Sequence, residues 1–171
     1  MIILISQRSK NSLMNIRLIT PQDNHQIKVV IQQVLTSFGA NREGFAWADP
    51  ELDDMFTAYQ QENANYWVLA DGHKVYGGGG IAPMSNVEKG WCELQKMYFL
   101  PEARGKGYGN QMMEQCLAFA KKHFNNCYLE TLNTMNVAQH LYARFGFTQL
   151  SAPMGNTGHS GCDVWMFKKL G

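Results

Sequence analysis

The sequence predicts an α/β fold, a mixed sheet with about four helices packed on it. Three observations carry this expectation. Runs of alternating apolar residues take turns along the chain with runs at helical spacing. Asp71-Gly72 is a hairpin signal between two apolar stretches. A strand–helix–strand unit over residues 91–132 requires its two strands to lie parallel. With 171 residues, 45% of them hydrophobic, the chain suits one domain with a sizeable core. That domain is placed at residues 14–171, after an N-terminal extension over residues 1–13. The apolar run from Ile2 to Ile5 has the alternative reading of an extra edge strand.

Ile16-Arg17-Leu18-Ile19 reads as the first strand. Thr20-Pro21-Gln22-Asp23 is a helix-start signal, with Pro at the first helical position and an acidic side chain able to reach back to the cap. Ile27, Val30, Ile31, Val34, Leu35 and Phe38 then recur at helical spacing, and Gly39 ends the helix. Asp49-Pro50-Glu51 starts a second helix in the same way, with a stripe of Leu52, Met55, Phe56 and Tyr59. Residues 66–70 and 74–81 form the hairpin, and residues 91–100 a third long strand closed by Pro101. A helix follows over about residues 107–124. Next come a strand at 127–132, a helix marked by Ala138, Leu141, Tyr142 and Phe145, and strands at 147–150 and 162–168. Residues 151–161 are a glycine-containing connection near a site.

Composition removes several function classes. A net charge of +1 leaves no broad basic field for nucleic acid or an anionic membrane. No apolar run reaches the roughly 18 residues that cross a bilayer, and residues 1–5 are too short for a signal-peptide core. Cys92, Cys116, Cys127 and Cys162 form no C-x-x-C pair, so no metal site is expected; they read as reduced core thiols of a cytoplasmic protein.

The sharpest chemical feature is Arg104-Gly105-Lys106-Gly107-Tyr108-Gly109, which leaves a strand and opens a helix. Glycines at alternate positions let backbone N–H groups converge on one ligand. The helix start adds unpaired N–H groups and its positive dipole end. Arg104 and Lys106 supply charge beside it. Such a cradle suits two linked phosphates, although a glycine-rich turn into a helix is the plainer reading of this segment alone. The nucleotide P-loop and the dinucleotide G-x-G-x-x-G patterns do not match. Gly158-His159-Ser160-Gly161 fails the G-x-S-x-G elbow, because position 162 is Cys and the segment precedes a strand.

Arg104-x-x-Gly107-x-Gly109 resembles the pyrophosphate signature of the GNAT superfamily of acetyl-CoA-dependent acetyltransferases. Leu94-Gln95-Lys96-Met97-Tyr98-Phe99-Leu100-Pro101 is similar to that family's central strand and its exit. Leu141-Tyr142-Ala143-Arg144-Phe145-Gly146-Phe147 is similar to its late L-Y-x-x-x-G-F segment. The order of elements agrees from about residue 15 to residue 170. The resemblance implies a mostly antiparallel sheet whose one parallel pair, residues 91–100 and 127–132, splays to admit acetyl-CoA. It implies that the backbone at Met97, Tyr98 and Phe99 holds the pantetheine arm as an added strand. The segment Arg104, Gly105, Lys106, Gly107, Tyr108 and Gly109 would then hold the pyrophosphate. The reacting carbonyl would face a backbone N–H near Met97.

The resemblance also makes Tyr142 the proton donor to the departing thiolate, while the same residue fits the apolar stripe of its helix. Glu93 is the candidate base, sharing by alternation a face with Gln95, Met97 and Phe99 provided no bulge intervenes. Glu130 on the neighbouring strand is its rival, and His159 and Asp163 are candidates for binding the acceptor. Phe45 and Trp47 are candidate walls of the acceptor pocket. Many family members carry an Asn seven residues before the late Tyr. Here that position is Met135, with Asn136 one place on and Asn133 two places before, so this sequence departs from the family at that contact and Asn136 is the candidate for it. Gly77-Gly78-Gly79-Gly80 reads as a site of close backbone approach, or equally as a bulge or flexible stretch.

The expected activity is acetyl transfer from acetyl-CoA to a primary amine of a small molecule or amino acid, by direct attack in a ternary complex. A non-catalytic acyl-CoA sensor and a protein or peptide N-acetyltransferase stand as alternatives. Family analogy adds a homodimer.

Overall fold

The protein is described by a computed structural model covering residues 13–171. The expected extension, and the alternative strand at Ile2 to Ile5, lie outside the described residues except for Leu13. Among the described residues seven strands form one sheet: β1 (Asn15–Leu18), β2 (Asn65–Ala70), β3 (Val75–Pro83), β4 (Trp91–Phe99), β5 (Asn126–Thr131), β6 (Thr148–Gln149) and β7 (Val164–Lys169). Four helices accompany them: α1 (Asn24–Ser37), α2 (Met55–Ala58), α3 (Tyr108–His123) and α4 (Asn136–Arg144). The strand order is β1-β2-β3-β4-β5-β7-β6, antiparallel except for β4 with β5.

Local chemistry accounts for most boundaries. The Asp23 carboxylate accepts from the Thr20 N–H and hydroxyl and from both Arg17 nitrogens, so a 3₁₀ turn, Pro21–Asp23, leads into α1. At the far end Gly39, with φ 72°, lets the chain reverse and gives the last carbonyls partners in the N–H groups of Gly39 and Ala40. The second predicted helix is broken. Pro50–Asp53 is a 3₁₀ turn, and Asp54 leaves helical geometry at φ −147° to cap the single turn of α2 through Thr57 N–H. The strand expected at residues 147–150 shrinks to the two-residue β6.

The sheet is covered on both faces. One face packs α1 and the residue 46–59 segment through Ile27, Ile31, Leu52, Met55 and Tyr66. The other packs α3 and α4 through Met112, Met113, Cys116 and Leu117. Each such fully buried aliphatic side chain contributes about 1.5–3 kcal/mol. Cys92, Cys116 and Cys127 are buried free thiols as expected, whereas Cys162 is only partly buried.

Two departures from regular pairing build the site. β4 and β5 pair only at Trp91, Cys92 and Glu93; beyond that point they diverge, and β5 continues alongside β7. β4 also carries a bulge. Gly78 faces Tyr98 and Gly80 faces Gln95, so β4 has one residue too many across that interval. Lys96 sits in the bulge at φ 49°, and its carbonyl accepts the buried Tyr66 hydroxyl at 2.8 Å. The glycine run opposite is close packing, combined with this register shift. A Cβ on Gly78 would lie 2.6 Å from the Tyr66 ring, and one on Gly77 would lie 2.3 Å from the Phe99 ring.

Candidate active site

A groove of about 590 Å³ opens where β4 and β5 part. Met97, Tyr98 and Phe99 form one wall, Asn136, Leu141 and Tyr142 of α4 the other, and Arg104, Gly105 and Gly109 the end. Gly107 caps α3 at φ 84° and Gly105 stands at φ 68°. A Cβ on either would meet nothing within 4 Å. Left-handed backbone, not crowding, is therefore what asks for glycine at both positions. Gly109 differs, since its added Cβ would lie 3.3 Å from Leu141 Cδ2, so it sets the approach of α3 to α4. The first bond of α3 runs from Gln111 N–H to the Gly107 carbonyl, leaving the preceding amides without a partner in the helix. Arg104 Nε donates to the Phe99 carbonyl at 2.8 Å, and Lys106 Nζ donates to the Glu102 carbonyl at 2.7 Å. Lys106, Gly107 and Tyr108 stand at the helix start beside the groove wall rather than in it.

Tyr142 projects from α4 into this groove and is 7% exposed. Its ring packs 6.2 Å from that of Phe147, centroid to centroid. Burial raises its phenol well above the ordinary value, so the hydroxyl keeps its proton. That hydroxyl makes no hydrogen bond among the described residues.

A second cavity, of about 30 Å³, meets the groove at Tyr98 and Met135, which line both. Glu93, Glu130 and His159 converge on it, each offering an atom within 4.8 Å of the others. That donor set and spacing could hold a small cation. The Tyr59 hydroxyl donates to Gln95 Oε1 at 2.7 Å, and Gln95 Nε2 donates to Glu93 Oε2 at 2.7 Å, which orients Glu93. Burial raises the Glu93 carboxyl above its ordinary value, against the opposing Gln95 bond. Glu130 accepts from the hydroxyls of Tyr128, at 2.7 Å, and Thr157, at 2.8 Å.

His159 arrives from the loop between β6 and β7. Its Nε2 lies 2.9 and 3.1 Å from the two Asp49 oxygens, and its Nδ1 4.0 Å from Glu130 Oε2. Burial pulls the imidazole down, but the Asp49 bond and charge outweigh it and hold His159 above its ordinary value. Asp49 is also 2.7 Å from Lys96 Nζ, which in turn lies 2.9 Å from Glu51. Gly161 allows the loop to lie on Phe45, whose ring would be 2.3 Å from an added Cβ.

The structure thus brings together Glu93, Glu130, His159 and Phe45 at one cavity, and Tyr142 and Asn136 at the adjoining groove. The expected face of Glu93 changes. The bulge breaks alternation, so Glu93 shares its side with Gln95, Lys96 and Tyr98, while Met97 and Phe99 pack with the α3 side. Trp47 does not line either cavity; it packs in the α1 core, and its carbonyl accepts Gln32 Nε2. Asp163 accepts the Asn133 N–H at 2.8 Å and lies outside the cavity wall. Sequence reasoning missed Asp49 and Lys96. Asp49 carried only a helix-start signal, and no sequence pattern marks the bulge that buries Lys96.

A family model described as acetyltransferase (GNAT) domain matches residues 62–149. The uncharacterized N-acetyltransferase YjgM of Escherichia coli (strain K12) is 42% identical over 156 residues, 90% of this chain and 93% of its own. Among solved structures, a GNAT-family acetyltransferase from Staphylococcus aureus Mu50 aligns with a TM-score of 0.80 at 16% identity, over 93% of this chain and 100% of its own. YncA from Salmonella typhimurium, a putative acetyltransferase solved with acetyl-CoA, aligns with a TM-score of 0.73 at 17% identity, over 92% of this chain and 94% of its own. The chain belongs to the GNAT family of N-acetyltransferases. Among the described residues no helix is long and apolar enough to cross a membrane.

Proposed function

We propose that the protein transfers the acetyl group of acetyl-CoA directly to a primary amine of a small molecule. The observation that carries this reading is the meeting of groove and cavity at the β4 bulge. A long apolar groove suits the pantetheine arm, and a small polar cavity suits the acceptor nitrogen. The pyrophosphate would rest on the amides at the start of α3, with Arg104 and Lys106 beside it. The arm would lie along Met97, Tyr98 and Phe99, and Asn136 would face it from α4. Neither Lys96 nor Met97 has a register partner in β3 or β5. A main-chain N–H at that place suits the carbonyl oxygen of the acetyl group.

An alkylamine with a pKa near 10.4 is free base in only on the order of one molecule in a thousand at neutral pH. Glu93 would take the ammonium proton, directly or through one water. The freed nitrogen would attack the thioester carbonyl, forming the C–N bond. The C–S bond would then break, and the Tyr142 hydroxyl would supply a proton to the departing thiolate. Solvent would reprotonate Tyr142; Glu93, having passed the first proton to solvent, would take the second proton of the attacking nitrogen and release it in turn, so that one proton leaves net.

The test is release of free CoA thiol from acetyl-CoA with a panel of amines. Acceptor-dependent release supports the reading. Saturable acetyl-CoA binding with no release across the panel would make the chain a sensor.

A further inference from the structure

We infer that the acceptor is an amine with no carboxylate on the carbon bearing the nitrogen, so that α-amino acids are excluded. The inference rests on the acetyl-transfer reading above and narrows its substrate class. Its basis is how the charges around the small cavity are already paired.

Glu93 is 6% exposed and lines the cavity. Its Oε2 takes the Gln95 amide, while its Oε1 has no partner among the described residues. The Glu130 side chain is 4% exposed and faces the same space. Two carboxylates within 4.8 Å of each other in a nearly closed space call for a cation between them. Among the described residues no cationic side chain hydrogen-bonds to either of them; the nearest, His159 Nδ1, stands 4.0 Å from Glu130 Oε2. Lys96 and His159 are the cationic side chains in the cavity wall, and both are held by carboxylates behind it. Lys96 is bound by Asp49 and Glu51, and His159 donates to Asp49 through Nε2, the nitrogen that points away from Glu130.

An ammonium group fits this gap in both size and charge. About 30 Å³ accommodates a group the size of a water or two, which leaves no room for a second ionised group beside the nitrogen. The carboxylate of an α-amino acid is separated from its nitrogen by a single carbon. It would be held at the mouth of the same cavity, facing Glu93 and Glu130, and the cations of the wall among the described residues, Lys96 and His159, are already paired with Asp49 and Glu51. Monoamines, diamines and peptide N-termini share the accepted chemistry.

The experiment compares initial rates with acetyl-CoA for matched pairs: leucine with isopentylamine, and phenylalanine with phenethylamine. A tripeptide with a free N-terminus forms a third arm. The decarboxylated member of each pair is expected to have kcat/KM higher by about a hundredfold. Glu130→Gln should narrow that ratio, and calorimetry on the CoA-loaded protein should show the same preference in binding. Turnover of the tripeptide alone, or of free amines alone, identifies the source and supports the class either way. Amino acids acetylated as fast as their amines overturn the inference and leave acetyl transfer standing. Failure of every acceptor sinks the transfer reading and this inference with it. A divalent metal that binds the protein and displaces the amine also overturns it.

Discussion

Lys96 Nζ lies 2.7 Å from Asp49 Oδ2, tying the bulge of β4 to the segment that leads into α2. The Lys96 side chain is 2% exposed, and burial works against its charge. The opposing carboxylates of Asp49 and Glu51 outweigh burial and hold the amine above its ordinary value. Removing one partner of such a pair leaves buried charge uncompensated. Lys96→Met should therefore cost about 3–5 kcal/mol in urea unfolding. A loss below about 1 kcal/mol would mean that the pair behaves like an exposed one.

The Asp49–His159 contact should make stability depend on pH. His159 is held above its ordinary value of 6.5, so its contribution is complete below about that pH and is lost as pH rises through the folded value. Asp49 is held below its ordinary 3.8, so its contribution is present above that value and fades as pH falls through the folded one. The pair stabilises between those limits. The gap in melting temperature between wild type and His159→Gln should be widest near about pH 5–6 and close in alkaline buffer. A gap that does not vary with pH would mean that packing alone is lost.

Glu93 must be ionised to accept a proton, and burial raises its carboxyl. The acid limb of kcat/KM should therefore lie above the ordinary glutamate range. Glu93→Gln should slow transfer by about 10²–10⁴-fold with little change in acetyl-CoA affinity. A variant with full activity would move the base role to Glu130.

The legible parts of this molecule were those fixed by local chemistry. The helix start at Thr20, the hairpin turn at Gly72 and the glycine-rich opening of α3 each depend on a few adjacent residues. Glu93, Glu130 and His159 were reachable as candidates because carboxylates and imidazole advertise their chemistry by residue type. The face that Glu93 occupies was not reachable, because one extra residue in β4 flips every later side chain. Asp49 and Lys96 stayed hidden for a related reason. Their meeting joins residues 47 positions apart, and only the folded bulge brings them together.

The tetraglycine stretch should rank by contact, not by backbone conformation, since none of its residues has positive φ. A Cβ at Gly78 would stand 2.6 Å from Tyr66 Cε1 and 2.7 Å from the Trp67 carbonyl, which cannot retreat without breaking the sheet. At Gly79 the nearest atoms are the flexible side chains of Met112 and Met97, at 3.1 and 3.3 Å. Gly78→Ala should lower stability by about 1–3 kcal/mol or more, and Gly79→Ala by clearly less. Equal losses by chemical denaturation would refute the close-approach explanation.

Tyr142 separates packing from chemistry in one atom. Its ring is buried against Phe147, whereas its hydroxyl lacks a hydrogen-bond partner among the described residues. Tyr142→Phe keeps the ring and deletes only the proton donor. Melting temperature should therefore stay nearly unchanged, and acetyl-CoA affinity should hold, because the groove wall retains its shape. Turnover should fall by about 10²-fold or more, the scale expected when a positioned acid is lost. The loss should shrink with acyl donors whose thiol leaves more readily, since a better leaving group needs less help from an acid. If turnover survives with acetyl-CoA itself, Tyr142 is a packing residue and the thiolate takes its proton from water.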